Sequence, residues 1–245
     1  VLDNVTSTNT YAMQLVQVNV AVHGDAIFAR HQTAGKGQRG KQWTDEPDTA
    51  IALSVIVDTT ALPAHKPFLL SMAAALAGND FFTRYAGPDT RIKWPNDIYW
   101  NDRKAGGILI ENLITSGQFD KSGWKRSVIG IGININQTAF DAALRNPVSL
   151  KQITGKDFDT IALAKELCLY LQVRFVQLLN GQENALLAEY NQQLYRKNQL
   201  VRLKKASSVF LCKVKQVNIY GELQVSDAMQ ESFSFGEVEW VLGEP

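Results

Sequence analysis

Gly35-Lys36-Gly37-Gln38-Arg39-Gly40-Lys41 gathers three cations and three glycines into seven positions. Glycine lets backbone N–H groups approach a ligand closely. Arg39 offers a planar fork to phosphate or carboxylate, while Lys36 and Lys41 act as compact charges. Trp43, at the end of the run, can cover a flat apolar group. The chemistry of this stretch is anion binding in a loop that orders around its ligand; a solvated basic loop is the plainer alternative. A second stretch, Lys93-Trp94-Pro95-Asn96-Asp97, is followed by Asp102-Arg103-Lys104-Ala105-Gly106-Gly107. Proline cannot donate to a strand ladder, so Asn96 and Asp97 fall at a distortion where polar side chains can face a pocket. Lys104 precedes a glycine pair that admits close approach. Read alone, the stretch fits a twisted hairpin with surface charges equally well.

Two familiar phosphate motifs fail on context. Gly35 to Gly40 matches G-x-G-x-x-G, but a dinucleotide site needs a helix opening at the loop. This loop runs through Trp43 and Asp45-Glu46-Pro47 into a strand instead. The same residues approach the P-loop pattern, yet Gln42 stands where the magnesium-binding hydroxyl belongs. His23, His31 and His65 lack metal-ligand spacing and read as surface or core residues.

These stretches need elements to hold them. Helical patterns cover Ser7–Val18 (Met13, Leu15, Val16 and Val18 apolar), 66–85, 159–179 and 183–197. Asp25–Arg30, Thr49–Asp58, Arg91–Ile98 broken at Pro95, Ala105–Glu111 and Ser127–Asn136 read as strands. Gly130 and Gly132 inside the last of these suggest a ligand or backbone passing close by. Near residue 200 the pattern changes to short strands, 209–214, 222–225 and 232–235, with a turn at Tyr220-Gly221. About 45 such residues suit a small barrel packed on the main domain. The expected division is therefore 1–197 and 198–245.

Composition bounds the rest. With 25 basic and 24 acidic residues among 245, the net charge of +1 supplies no global field for DNA or an acidic membrane. No stretch reaches the roughly 18 apolar residues of a membrane span. Cys168 and Cys212 cannot form a disulfide framework, which favours a reducing cytoplasm.

Taken together the motifs are specific. Ser7-Thr8-Asn9, Gln32 to Trp43, Lys93 to Asp97 with Arg103 to Leu109, and Gly130-Ile131-Gly132-Ile133-Asn134 occur in the order and spacing of the catalytic region of biotin–protein ligases, which the chain resembles throughout. The resemblance implies an α+β fold: a mixed sheet flanked by helices, shared with class II aminoacyl-tRNA synthetases, plus a C-terminal SH3-like barrel. It implies biotin and MgATP as substrates, a biotinyl-5′-adenylate intermediate, and transfer of biotin to a lysine of a biotin carboxyl carrier domain. Lys104 would reach the biotin carboxylate and the α-phosphate. Arg39 and Lys36 would hold phosphates, with Gly35, Gly37 and Gln38 in the same loop. Ser7, Thr8 and Gln32 would meet the ureido ring, and Asn9 would belong to the same ligand-binding set. Gly107, Gly130 and Gly132 would floor the slot. Trp43 would pack on the adenylate and Asn134 would bond adenine. Asp97 would orient or deprotonate the acceptor lysine, and Asn96 would touch phosphate or metal. No protein cage for Mg²⁺ is expected, because that ion travels with ATP.

Against the family pattern, Lys36 and Gln38 stand where arginine is common, which predicts looser retention of the intermediate. No Arg follows Arg202 to reach ATP from the barrel. The chain begins at the catalytic motif, leaving no room for an N-terminal DNA-binding domain, so no nucleic-acid partner is expected. The expected state is a monomer or weak homodimer. A lipoate–protein ligase and a non-catalytic biotin or biotinyl-adenylate sensor are the rival readings.

Overall fold

The computed structural model describes residues 1–114, 124–144 and 146–241. A seven-stranded mixed sheet forms its centre. Its strands are β1 (Leu2–Val5), β2 (Ala26–Gln32), β5 (Ala50–Asp58), β6 (Thr90–Lys93), β7 (Asp97–Trp100), β8 (Arg103–Ile114) and β9 (Trp124–Asn134). They lie in the order β1-β2-β5-β9-β8-β7-β6. The β1–β2 pair is parallel and the other pairs are antiparallel. Between β2 and β5, β3 (Gly35–Lys36) and β4 (Gln42–Trp43) form a two-stranded hairpin around a 3-10 turn at Gln38–Gly40.

The alternation of side chains along β5 and β9 separates two environments. Ile51, Leu53, Val55 and Val57 of β5, with Ile129, Ile131 and Ile133 of β9, enter the main core. There they meet α2 (Phe68–Ala86) and α4 (Thr160–Leu179). On the opposite face, Ile56 and Val128 pack under α1 (Thr8–Gln17) through Ala12 and Val16. Ser54, Gly130 and Gly132 share the parity of this second face. Their small or polar side chains leave it concave beyond the end of α1.

Among the described residues α3 (Leu150–Thr154) and α5 (Glu183–Gln192) complete the helices. The chain then enters a five-stranded antiparallel sheet of β10 (Leu200–Lys205), β11 (Ser208–Val217), β12 (Leu223–Ser226), β13 (Ser232–Phe233) and β14 (Glu239–Val241), ordered β13-β12-β11-β10-β14. Trp94 Nε1 donates to the Gly221 carbonyl at 2.9 Å, and Asn191 exchanges two hydrogen bonds with Val217. The second sheet is thus fastened beside the Lys93–Asp97 segment.

Several sequence expectations change. The first helix buries Thr8, Asn9, Ala12 and Val16, while Val18 is exposed. Its inner face is polar where it meets the cavity, so apolar periodicity could not find it. The last helix stops at Gln192, not 197, because Ile92 N–H bonds the Gln193 carbonyl and Tyr195 N–H bonds Ile92, drawing this segment alongside β6. The Arg91–Ile98 strand is two strands, Thr90–Lys93 and Asp97–Trp100, separated by a cis Trp94–Pro95 peptide.

Candidate active site

A cavity of about 650 Å³ opens on the concave face of the large sheet. That volume suits a small-molecule or cofactor site. Its floor is the glycine strip of β8 and β9, where Gly107 pairs with Gly132. Each glycine there answers a specific neighbour. A Cβ on Gly132 would lie 2.6 Å from Trp43 Cε2, so the indole rests directly on that backbone. A Cβ on Gly130 would overlap the Asn9 amide. A Cβ on Gly107 would meet Asp97 Oδ1 at 3.2 Å and Lys104 Nζ at 3.4 Å.

One end of the cavity is a buried polar chain. Gln32 Oε1 accepts from Thr8 N at 2.8 Å and from Thr8 Oγ1 at 3.1 Å. The Ser54 hydroxyl lies 2.8 Å from Thr8 Oγ1 and 2.6 Å from Asn9 Oδ1. Asn9 Nδ2 donates to Glu111 Oε2 at 2.9 Å and to the Leu109 carbonyl at 3.3 Å. Ser7, Thr8, Asn9 and Gln32 all line the cavity and all are buried. Such a network fixes donor and acceptor directions before a neutral polar ligand arrives.

The other end is cationic. Lys104 Nζ and Asp97 Oδ1 are 2.6 Å apart. Lys36 Nζ lies 3.6 Å from Glu111, and Arg39 lies 3.8 Å from Glu239 of β14. Each of these three cations therefore has a carboxylate that an incoming anion can displace. Arg39 adopts a left-handed backbone, φ 56°, in the turn of the hairpin. Gln38 Nε2 reaches the Ile108 carbonyl at 3.5 Å, tying the turn to the floor. Asn96 Nδ2 bonds that same carbonyl.

The sequence-derived residues converge with few exceptions. Gly35 does not line the cavity: it pairs with Trp43, and a Cβ there would sit 2.5 Å from the Trp43 carbonyl oxygen, so close strand contact is what requires glycine. Asn134 lines the cavity, but its Nδ2 donates to the Val148 carbonyl at 3.1 Å. Its amide donor is thus occupied. His31 Nδ1 is 3.1 Å from Asp45 Oδ1 at the back of the hairpin. Burial pushes the Asp45 carboxyl above its ordinary value, against hydrogen bonds from Gln32 and His31. Among the described residues no three His, Cys, Asp or Glu side chains group as a metal site.

Sequence reasoning missed three contributors. Ser54 is a lone hydroxyl in the apolar run of the Thr49–Asp58 strand, and that is the signal that marks it. Lys93 is buried, with its Nζ 5.1 Å from the Tyr99 ring centre and 5.4 Å from that of Trp240. Burial lowers its pKa to about 8, opposed by Asp97 and assisted by Lys104 and Lys41. Phe235, Gly236, Glu239 and Trp240 bring the C-terminal sheet into the cavity wall, and no spacing rule reaches across that distance.

Residues 1–134 match the model of the biotin/lipoate A/B protein ligase family. The chain belongs to this family. The family's match covers the polar end, the basic hairpin and the Lys93–Gly107 segment. Among its relatives, the bifunctional ligase/repressor BirA of Bacillus spizizenii is 33% identical over 176 residues, covering 71% of this chain and 52% of that protein. The biotin–[acetyl-CoA-carboxylase] ligase of Paracoccus denitrificans is 35% identical over 161 residues, 62% of each chain. The chain thus spans about half the length of the BirA relatives it matches. In fold it is similar to the biotin protein ligase of Aquifex aeolicus solved with biotin and ATP, with a TM-score of 0.81 at 20% identity, covering 99% of this chain and 97% of that one. The expected mixed sheet with flanking helices is therefore the family's own ligase fold, and the C-terminal unit, expected as an SH3-like barrel, is a five-stranded antiparallel sheet.

Proposed function

We propose that this protein activates biotin with ATP as biotinyl-5′-adenylate and transfers it to a lysine of a biotin carboxyl carrier domain. The observation that carries this reading is one cavity with a neutral polar end and a cationic end joined by a glycine floor. Biotin has the matching polarity: an uncharged ureido ring, an apolar body and a terminal carboxylate. The ring would exchange hydrogen bonds with Ser7, Thr8, Asn9 and Gln32, and the body would lie on Gly130, Gly132 and Gly107.

Activation brings two anions together. The biotin carboxylate attacks the α-phosphorus of ATP, a carboxylate–phosphorus bond forms, and pyrophosphate leaves with the electron pair of the broken anhydride bond. Cations must cancel the repulsion on approach and the charge that develops. Lys104 is the catalytic cation, moving from Asp97 to the reacting carboxylate and α-phosphate. Arg39, Lys36 and the backbone of Gly37 and Gln38 hold the phosphates. Trp43 covers the adenylate, and Asn134, whose amide donor is held by the Val148 carbonyl, meets the adenine as an acceptor through Oδ1. Displacing Lys104 also frees Asp97, which then orients the acceptor amine and takes its proton as the amine attacks the biotinyl carbonyl and AMP departs. Mg²⁺ would enter with ATP and would offset phosphate charge, and Asn96 is the residue that would stand nearest to it.

The chain divides in this reading at 197/198, the second sheet closing the cavity wall. The working protein is cytoplasmic, a monomer or weak homodimer, and needs no nucleic acid. Among the described residues no helix is long and apolar enough to cross a membrane. Lipoate lacks the ureido donors and acceptors that the Thr8–Gln32 end presents, which favours biotin. Incubation with MgATP, biotin and a biotin carboxyl carrier domain tests the reading: mass spectrometry should find one carrier lysine biotinylated, and none modified when lipoate replaces biotin. Modification by lipoate alone would overturn it.

A further inference from the structure

Trp43 stands where a ligand must go. Its indole rests on Gly132: a Cβ there would lie 2.6 Å from Cε2 and 2.8 Å from Cζ2. A ligand lying along the glycine floor needs the same place, so the ring must lift as the cavity fills. Its Nε1 is buried and has no hydrogen-bond acceptor among the described residues. A buried donor without an acceptor costs free energy, so this seat of the ring is one that a better-bonded seat can replace.

The better seat lies two residues along the chain. The Asp45 side chain is 1% exposed. Its Oδ1 is filled: it accepts from Gln32 N–H at 3.1 Å and lies 3.1 Å from His31 Nδ1. Its Oδ2 is buried and has no donor among the described residues. A buried carboxylate oxygen left unpaired is costly in its turn. Burial raises the Asp45 pKa, and the Trp43 side chain is one of the groups that act against that rise, so indole and carboxylate already lie close together. The neck of the basic hairpin therefore holds an unused donor beside an unused acceptor.

We propose that Asp45 is the positioning residue for Trp43: when a nucleotide enters, the indole lifts from Gly132, its Nε1–H bonds Asp45 Oδ2, and the ring is held over the adenylate. Oδ1 meanwhile keeps its bond to Gln32, whose side chain accepts from Thr8, so one carboxylate backs both ends of the cavity. The assignment rests on the adenylate-forming reading above, since the nucleotide is what the ring would cover.

AMP is the probe, given with and without biotin, because it carries no anhydride bond to break and its binding is read without turnover. In nitrogen–proton correlation spectra of the full chain, the indole N–H signal absent from Trp43→Phe belongs to Trp43. AMP should shift that signal and slow its exchange with water at least about tenfold, the protection a newly formed hydrogen bond gives. Asp45→Asn separates the two oxygens: the amide oxygen still accepts from Gln32, while its NH₂ meets the indole donor with another donor. By calorimetry this variant should bind AMP about tenfold or more weakly, with biotin affinity within about twofold of wild type. In the Trp43→Phe background the same substitution should change AMP affinity less than about twofold, because the indole N–H is already gone. A carboxylate that merely supports the hairpin would give the same loss in both backgrounds, and that result would overturn the assignment. So would an indole signal that AMP leaves unmoved in wild type, a measurement that needs no Asp45 variant to fold. AMP-dependent protection through Asp45 in a protein that binds no biotin would instead overturn the biotin reading and leave the indole seat standing.

Discussion

Replacing Gly130 with alanine puts one methyl group where the Asn9 amide already lies. The new Cβ would overlap Asn9 Oδ1 and sit 2.7 Å from its Cγ and 2.9 Å from Nδ2. Asn9 cannot move freely, because it contacts Ser54 Oγ at 2.6 Å, Glu111 Oε2 at 2.9 Å and the Leu109 carbonyl at 3.3 Å. A displaced amide loses bonds worth roughly 1 kcal/mol each, or about 1.5–3 kcal/mol for the one to a carboxylate. Overpacking without displacement costs about 1–3 kcal/mol. Either route predicts a loss on the order of 3 kcal/mol in urea denaturation, large against the roughly 5–15 kcal/mol stability of a typical domain. The biotin KM should rise about tenfold, since Thr8 adjoins the disturbed amide. The decisive comparison is a double-mutant cycle with Asn9→Ala. Truncating Asn9 removes the clash, so the double variant should be at least ~1 kcal/mol more stable than the two single losses predict. Effects that add within about 0.5 kcal/mol would refute the idea that glycine is required here to admit Asn9.

Ser54→Ala should cost about 1–3 kcal/mol, because Thr8 and Asn9 lose a buried partner; thermal or urea unfolding measures it, and a neutral result would contradict the network. Lys104→Ala should lower the rate of pyrophosphate release about 10²–10³-fold, in line with other electrostatic catalysts. Its unfolding midpoint should barely change, since the Lys104–Asp97 pair is partly exposed. The folded protein binds the Lys93 proton less tightly than the unfolded chain does, with the pKa near 8 instead of 10.5. Below pH 8 that difference works against folding; as pH rises from 8 to 10.5 the folded state gains on the order of 3 kcal/mol. Denaturation of wild type against Lys93→Met across this range should show the wild type recovering, and parallel curves would exclude the perturbed lysine.

The long elements were legible because burial imprinted apolar runs on them. Ala50–Asp58 and Phe68–Ala86 are almost continuously buried, and their apolar runs say so. Leu2–Val5 is an edge strand with exposed Asp3 and Asn4, so its ladder bonds to β2 leave no pattern. Leu150–Thr154 carries a local sign, the capping box of Ser149 and Gln152 three residues apart, but five residues are too few to add an apolar period to it. The cavity lining was legible where its residues stand at close spacing in the chain, as in Ser7-Thr8-Asn9 and Asn96 to Lys104. It was illegible where the fold imports a residue. Trp240 meets Lys93 because Trp94 and Asn191 fasten the second sheet beside it. Glycine was legible as a signal and ambiguous in meaning: Gly35, Gly130 and Gly132 each make room for a neighbouring group of the protein itself.

Biotin-dependent exchange of labelled pyrophosphate into ATP tests the central claim most directly, because it reads adenylate formation without any carrier protein. The account predicts exchange with biotin and none with lipoate, lost in Lys104→Ala. A folded wild-type protein that binds biotin yet catalyses no exchange would contradict it and return the cavity to the role of a ligand sensor.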